Sequence, residues 1–251
     1  MIDEVERGVA DARSVQLGEG VAQARSRIAA AARDAGRDPS EVTLLVVTKY
    51  FPAADVVRLI DLGEREFGES REPEASRKMV EVTTARHEHF SADMIGRVQR
   101  KKAGSVARWA RRVHSVDSTP LIDALSGAAT RAQDAGHRDD RLGVLLQVSL
   151  DGDPDRGGLV EADLAAAADR VLAAPDALTL DGLMLIAPLG LDPGEAMRQM
   201  ADIRAGFVER YPGALELSAG MSGDLESAIA HGSTCVRVGT AILGTRPILS
   251  L

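Results

Sequence analysis

Short apolar runs alternate with longer amphipathic stretches along most of this chain. The apolar runs fall at 44–47, 66–68, 94–96, 113–116, 144–150, 180–186, 215–218 and 235–239. Their length and their enrichment in Val, Leu and Ile predict strands buried on both faces, as in a parallel sheet. Between them, apolar positions recur at helical spacing over 53–62, 72–82, 98–110, 119–135, 161–173, 193–210 and 224–231. Punctuation agrees with these bounds. Pro52, Ser118 and Pro193 stand at predicted helix starts, and Gly63, Gly136 and Gly232 at predicted ends. Eight strand–helix alternations without a long linker predict an α/β chain, a single-domain (β/α)8 barrel of the TIM type. Because the second and third strands are short, an open doubly wound sheet is the alternative. One additional helix is expected from about residue 20 to 35. Residues 1–18 read as a poorly ordered extension, although Val5, Val9 and Ala12 can form one more turn; the barrel then occupies 19–251.

Composition narrows the chemistry. Aromatic residues make up only 3% of 251, so the core must be built from Ala, Val, Leu and Ile. A formal net charge of −8 argues against a surface that attracts nucleic acid. The basic stretch from Arg97 to Arg112 runs against that average and reads as the solvated face of a helix. A single cysteine, Cys235, allows no intrachain disulfide, and with a charged rather than apolar N-terminus it points to the cytoplasm. No apolar run is long enough to cross a membrane. His87-Glu88-His89 lacks the i, i+4 spacing of zinc enzymes and reads as a solvated loop, so no metal is expected. Ser115 and Ser149 have no evident His–Asp partners for hydrolase chemistry.

Barrel enzymes carry their reactive groups at the C-terminal ends of strands. Lys49 ends the first strand, and alternation puts it on one face with Leu45 and Val47. A strand-end lysine either snorkels to solvent or, partly desolvated, offers its amine to a carbonyl. After the seventh strand comes Ser218-Ala219-Gly220-Met221-Ser222-Gly223-Asp224, and after the eighth Arg237-Val238-Gly239-Thr240. Loops at these two places commonly bind phosphate in such barrels. The glycines allow close backbone approach, while Ser222 and Thr240 supply hydroxyls. Asp224 fits there only if its carboxylate points away. Arg237 should face the barrel axis and therefore needs an acceptor, either a carboxylate such as Glu216 or Glu69, or a ligand.

A lysine, a phosphate cup and an inward arginine together describe a small aldehyde phosphate held as an imine. At this point the chain resembles the pyridoxal phosphate (PLP) homeostasis proteins, relatives of the N-terminal barrel of alanine racemase. The resemblance is carried by Leu45-Val46-Val47-Thr48-Lys49, Phe67-Gly68-Glu69, Ile95-Gly96-Arg97-Val98-Gln99, His114-Ser115-Val116-Asp117, Leu217 through Asp224, and Val236 through Gly244. It implies PLP as cofactor, bound on Lys49, with Ser222, Gly223, Gly239 and Thr240 around the phosphate, Arg237 near the pyridine nitrogen, and Ser70 and Ser218 as further cofactor-binding residues. An arginine cannot protonate that nitrogen, so the ring would be a weak electron sink. Ser70 stands where the family usually has Asn, Ala92-Asp93-Met94 replaces Trp-His-Phe, and Ala219 replaces Met; these changes bear on affinity.

The resemblance implies a protein that stores or delivers PLP without turnover, docking transiently to PLP-dependent apoenzymes and itself a monomer. The alternative is a racemase of low activity, for which Tyr50 and Tyr211 are poorly placed second bases. A third reading is a phosphosugar-binding barrel in which Lys49 forms imines, with Asp93, Glu69 or Asp117 as acid or base.

Overall fold

The computed structural model describes residues 11–245. Eight parallel strands close into a barrel in chain order: β1 (Thr43–Val47), β2 (Glu66–Glu69), β3 (Ser91–Met94), β4 (Arg112–Val116), β5 (Leu142–Val148), β6 (Leu178–Leu185), β7 (Glu216–Ser218) and β8 (Cys235–Val238). The open-sheet alternative is excluded by the pairing of β1 with β8, where Thr43 lies opposite Cys235 and Val46 opposite Val238. The helices are α1 (Ala12–Asp34), α2 (Ala53–Asp61), α3 (Glu74–Ala85), α4 (Ala103–Val106), α5 (Thr119–Asp134), α6 (Glu161–Leu172), α7 (Pro193–Arg210), α8 (Leu225–Ala230) and α9 (Thr240–Leu243).

The hydrophobic core is a belt between strands and helices. Val113, Val144, Leu146, Leu183 and Leu217 face outward into one half of it, and Val46, Phe67, Val236 and Val238 into the other. Period-2 alternation then turns Asp93, His114, Gly143, Asp181, Ser218, Cys235 and Arg237 toward the lumen. Beside inward apolar residues such as Leu45 and Leu145, the lumen thus carries a set of polar and charged groups.

Three sequence expectations change. The helix expected over 98–110 breaks into a 3-10 turn (Arg100–Lys102) and the four-residue α4. Its basic residues divide: Arg97, Arg100, Lys101 and Arg108 are exposed, while Arg111 and Arg112 turn onto buried carboxylates. The third strand lies at Ser91–Met94, earlier than the apolar run at 94–96 suggested. The helix before the barrel starts at Ala12, its N-terminus capped by Asp11, with Leu17 fully buried. Of the extension expected over 1–18, residues 12–18 instead form the first turns of α1, and residues 1–10, with Val5 and Val9, lie outside the described residues. Gly63, Gly136 and Gly232 take positive φ at helix ends, which glycine adopts without strain. Ser118 occupies the cap position of α5, but its hydroxyl accepts no helix N–H and instead donates to Asp117. His87-Glu88-His89 lies in an exposed loop, and among the described residues no cluster of His, Cys, Asp and Glu is arranged to hold a metal.

Candidate functional site

β1 stops at Val47, so Lys49 stands in the turn that follows the strand rather than at its last position. The Phe51 N–H donates to the Thr48 carbonyl at 3.1 Å, closing a tight turn over Lys49 and Tyr50. Tyr50 adopts φ +70°, a conformation that costs a bulky residue energy and that the surroundings must hold in place. Those surroundings are buried and ionic. The Lys78 ammonium on α3 donates to the Thr48 carbonyl at 2.9 Å and to Glu69 Oε1 at 2.7 Å, and the Thr48 hydroxyl donates to the same carboxylate oxygen at 2.7 Å. Lys78 and Glu69 are 5% and 1% exposed. Burial pushes the Glu69 carboxyl up, against the opposing pull of Lys78 and Thr48. Sequence reading missed Lys78. Its signal was present: Ala75, Lys78, Met79 and Val82 share the buried face of α3, so a lysine stands in an apolar stripe.

Next to this turn stand the loops after β7 and β8. A Cβ at Gly239 would come within 3.3 Å of Val47 Cβ, so β8 leads into its loop directly beside β1. The Arg237 N–H donates to the Gly220 carbonyl at 2.9 Å, which ties the β7 loop to β8. Gly220 has φ +93°, and a Cβ there would collide with Ala228 at 2.6 Å; only glycine fits. Asp224 folds its carboxylate back to accept the Met221 N–H at 2.6 Å, as an acid in a phosphate loop must. Lys49, Ser222 and Thr240 therefore top three neighbouring strands, and their side-chain donors make no hydrogen bond among the described residues. Ser70, half-buried on the β2 loop, likewise keeps its hydroxyl unused; its backbone leaves room only for glycine at Gly96.

Arg237 forms the floor. It is 5% exposed, and its protein acceptors are neither Glu216 nor Glu69, which removes the carboxylate alternative of the sequence reading. Nη1 donates to the Ser218 carbonyl and hydroxyl, both at 2.7 Å, and Nη2 to the Leu185 carbonyl at 2.8 Å. Glu216 instead accepts from Thr234 at 2.7 Å and faces Arg112 at 3.6 Å. Carbonyl dipoles at the ends of β6 and β7 thus fix the guanidinium without neutralising it, and burial lowers its proton affinity.

The Ser218 hydroxyl continues the chain across the lumen. It lies 3.0 Å from His114 Nδ1, whose Nε2 lies 3.0 Å from Asp93 Oδ2. Burial lowers the His114 pKa, although Asp93 opposes it, so the ring is neutral at neutral pH. These partners assign the proton to Nε2, donating to Asp93, while Nδ1 accepts from Ser218. The order resembles a hydrolase triad, yet Asp93, His114 and Ser218 are fully buried and the serine is occupied by Arg237. It links the lumen to Arg237; it does not present a nucleophile. Ser115, for its part, donates to the Gly96 carbonyl.

Two cavities flank this mouth. One of about 600 Å³ is lined by Arg97, Gln99, Arg100, Asp117 and Ser118, and one of about 410 Å³ by Gln147, Ser149, Arg156, Ile186 and Met221. Neither is lined by Lys49. Tyr211 is excluded as a partner for Lys49, since its hydroxyl donates to Asp169 at 2.7 Å in the outer helix ring.

Residues 22–247 match the sequence model of the family described as alanine racemase, N-terminal domain. The pyridoxal phosphate homeostasis protein of Mycobacterium tuberculosis is 49% identical over 248 residues, covering 95% of this chain and 96% of its own. Among solved structures, an unknown protein from Bifidobacterium adolescentis superposes with a TM-score of 0.83 at 32% identity, over 93% of this chain and 97% of the other. PipY of Synechococcus elongatus with PLP bound gives a TM-score of 0.76 at 32% identity, over 91% and 100%.

Proposed function

Since the chain belongs to the alanine racemase N-terminal domain family, and within it to the pyridoxal phosphate homeostasis proteins, we propose that it binds PLP as a Schiff base on Lys49 and acts as a carrier or buffer of that cofactor. The observation that supports this most directly is the set of unused donors at the mouth. The Lys49 amine and the Ser222 and Thr240 hydroxyls have no partner among the described residues, whereas the Arg237 guanidinium beneath them is fixed. An amine, two hydroxyls and loop N–H groups suit the aldehyde and phosphate of PLP.

Each residue has a task in this reading. Lys49 supplies the amine, and Lys78 and Glu69 hold its turn. Ser222, Gly223, Gly239 and Thr240 take the phosphate. Ser70 lines the β2 side. Ser218 acts behind Arg237, holding it from below. PLP supplies an aldehyde that captures amines and a ring that withdraws electrons. Arg237, a donor that does not give up its proton, would face the ring nitrogen without protonating it, which would favour holding the cofactor over carbanion chemistry. Tyr211 is engaged elsewhere, so two-base racemisation has no support from that residue. Transient docking to apoenzymes, a monomeric state and a cytoplasmic location belong to the same proposal; no helix of the described residues is long and apolar enough to cross a membrane.

The test is spectroscopic. After incubation with PLP, wild type should show a visible Schiff-base band, and borohydride should trap the adduct on Lys49. Lys49→Ala should lack both. A band that survives in Lys49→Ala, or no band in wild type with excess PLP, would sink the proposal and favour a phosphosugar ligand. Absence of turnover on D- and L-amino acids separates carrier from racemase.

A further inference from the structure

The helix that precedes the barrel packs against the backs of both short helices that follow the phosphate loops. Leu17, Val21, Ala24 and Ile28 of α1 are buried with Leu225 and Ile229 of α8 and with Ile242 and Leu243 of α9. Gly20 is where the backbones meet. A Cβ there would lie 2.8 Å from Ile242 Cα and 2.9 Å from its carbonyl oxygen. Two arginines of α1 reach further, one to the end of α9 and one into the β7 loop. Arg13 donates to the Leu243 carbonyl at 3.1 Å. Arg27 grips both carboxylate oxygens of Glu226, at 2.9 and 3.0 Å, and with the same Nη2 donates to the Ser222 carbonyl at 3.1 Å.

That last contact has a consequence for the loop. Gly220 is tied to β8 through its carbonyl, and Met221 to Asp224 through its N–H. The Ser222–Gly223 peptide has no tie of this kind from within the loop; Arg27 supplies it. In a trans peptide the C=O and the following N–H point in opposite directions. Drawing the Ser222 carbonyl outward to α1 turns the Gly223 N–H the other way, toward the mouth. That N–H has no acceptor among the described residues, and beside it lies the unused Ser222 hydroxyl.

We propose that Arg27 is a positioning residue for phosphate recognition: by holding the Ser222 carbonyl it orients the Gly223 N–H toward the phosphate group of the ligand. This rests on the reading of the mouth as a PLP site. The Arg27–Glu226 pair is half-exposed, with side-chain exposures of 40% and 53%, so it adds little to folding stability. Its effect is on loop geometry, and the phosphate ester is the part of the ligand that senses it.

The experiment compares PLP with pyridoxal, which carries the same aldehyde and ring but no phosphate. Both are titrated into wild type, Arg27→Ala and Arg27→Lys, followed by the Schiff-base absorbance, with the melting temperature of each unliganded protein. Losing one hydrogen bond to a charged group predicts about tenfold weaker PLP binding in Arg27→Ala. Pyridoxal affinity and melting temperature should hold, and Arg27→Lys, which keeps a donor, should recover part of the loss. Equal weakening of PLP and pyridoxal would show a general structural role and overturn the proposal. So would unchanged PLP affinity in Arg27→Ala. Wild type that binds neither compound would instead remove the site reading on which the proposal stands.

Discussion

The two ends of this barrel treat their polar groups in opposite ways. At the N-terminal end all but one of the lumen charges, Asp181, have a close counterpart among the described residues. Arg111 grips Asp93 through two bonds of 2.9 and 2.8 Å and reaches Glu66 at 2.8 Å. Arg112 lies 3.3 Å from Asp93 and spans the lumen to Glu216 at 3.6 Å. Gly143 makes room for this plug, since a Cβ there would lie 2.3 Å from the Arg112 side chain and 2.4 Å from Asp181 Oδ2. At the C-terminal end, Lys49, Ser222 and Thr240 keep donors that nothing described accepts. Buried polar groups that satisfy one another hold a fold; unsatisfied donors gathered at a mouth are spare capacity for a ligand. The chain from Asp93 through His114 and Ser218 to Arg237 joins the two regimes.

If that contrast is right, changes at the plug cost stability and changes at the mouth cost ligand. The largest effect is expected from Asp93→Ala, which leaves Arg111, Arg112 and His114 without their shared acceptor. Removing one partner of a buried ionic network costs about 3–5 kcal/mol, read from urea denaturation. A loss under about 1 kcal/mol would mean that water enters the lumen and that the plug is not closed. Sequence comparison marks Asp93 as a departure that bears on cofactor affinity. Its burial among arginines gives it a structural task as well.

Ser218→Ala comes next and tests the joint. It removes one of three acceptors from Arg237 and the donor to His114 Nδ1, a loss of about 2 kcal/mol. It should also weaken PLP, because the guanidinium beneath the ring is less well held. Stability lost with affinity intact would place Ser218 wholly with the plug. Smaller still, Ser222→Ala should shift stability by less than about 0.5 kcal/mol while weakening PLP roughly tenfold. A stability loss as large as that of Ser218→Ala would erase the distinction between mouth and wall.

What the sequence disclosed follows the same division. The eight-strand rhythm was legible because barrel strands are buried on both sides and so read as compact apolar runs. Arg237 was legible as inward-facing from the alternation of Val236 and Val238. Its acceptors were not, because backbone carbonyls at the ends of two other strands carry no sequence mark. The plug escaped for a related reason. Arg111 and Arg112 continue a basic run that looks solvated, and only the closed barrel brings them against Asp93, Glu66 and Glu216. Even Lys78, visible in the apolar stripe of α3, acquires meaning only beside Glu69 on the neighbouring strand.

Asp181 offers the smallest and most specific test, because it is the plug carboxylate for which no close ion pair forms. Its pKa is pushed up to about 6 by burial first, with Glu216 and Asp93 adding to the rise and Arg112 and Arg111 opposing it. The folded protein therefore keeps this proton to about pH 6, whereas the unfolded chain releases it near 3.8. Between those values the native state binds more protons than the unfolded one, so this residue's share of stability falls as pH rises through the window. Below it both states are protonated and above it both are ionised, and the contribution is level. Asp181→Asn cannot ionise. Its stability relative to wild type should climb from pH 4 to 6 and then stay constant, leaving the variant at its greatest advantage at pH 7. A difference that does not change with pH would show that Asp181 is hydrated from the N-terminal opening, and the contrast between a closed floor and an open mouth would lose its lower half.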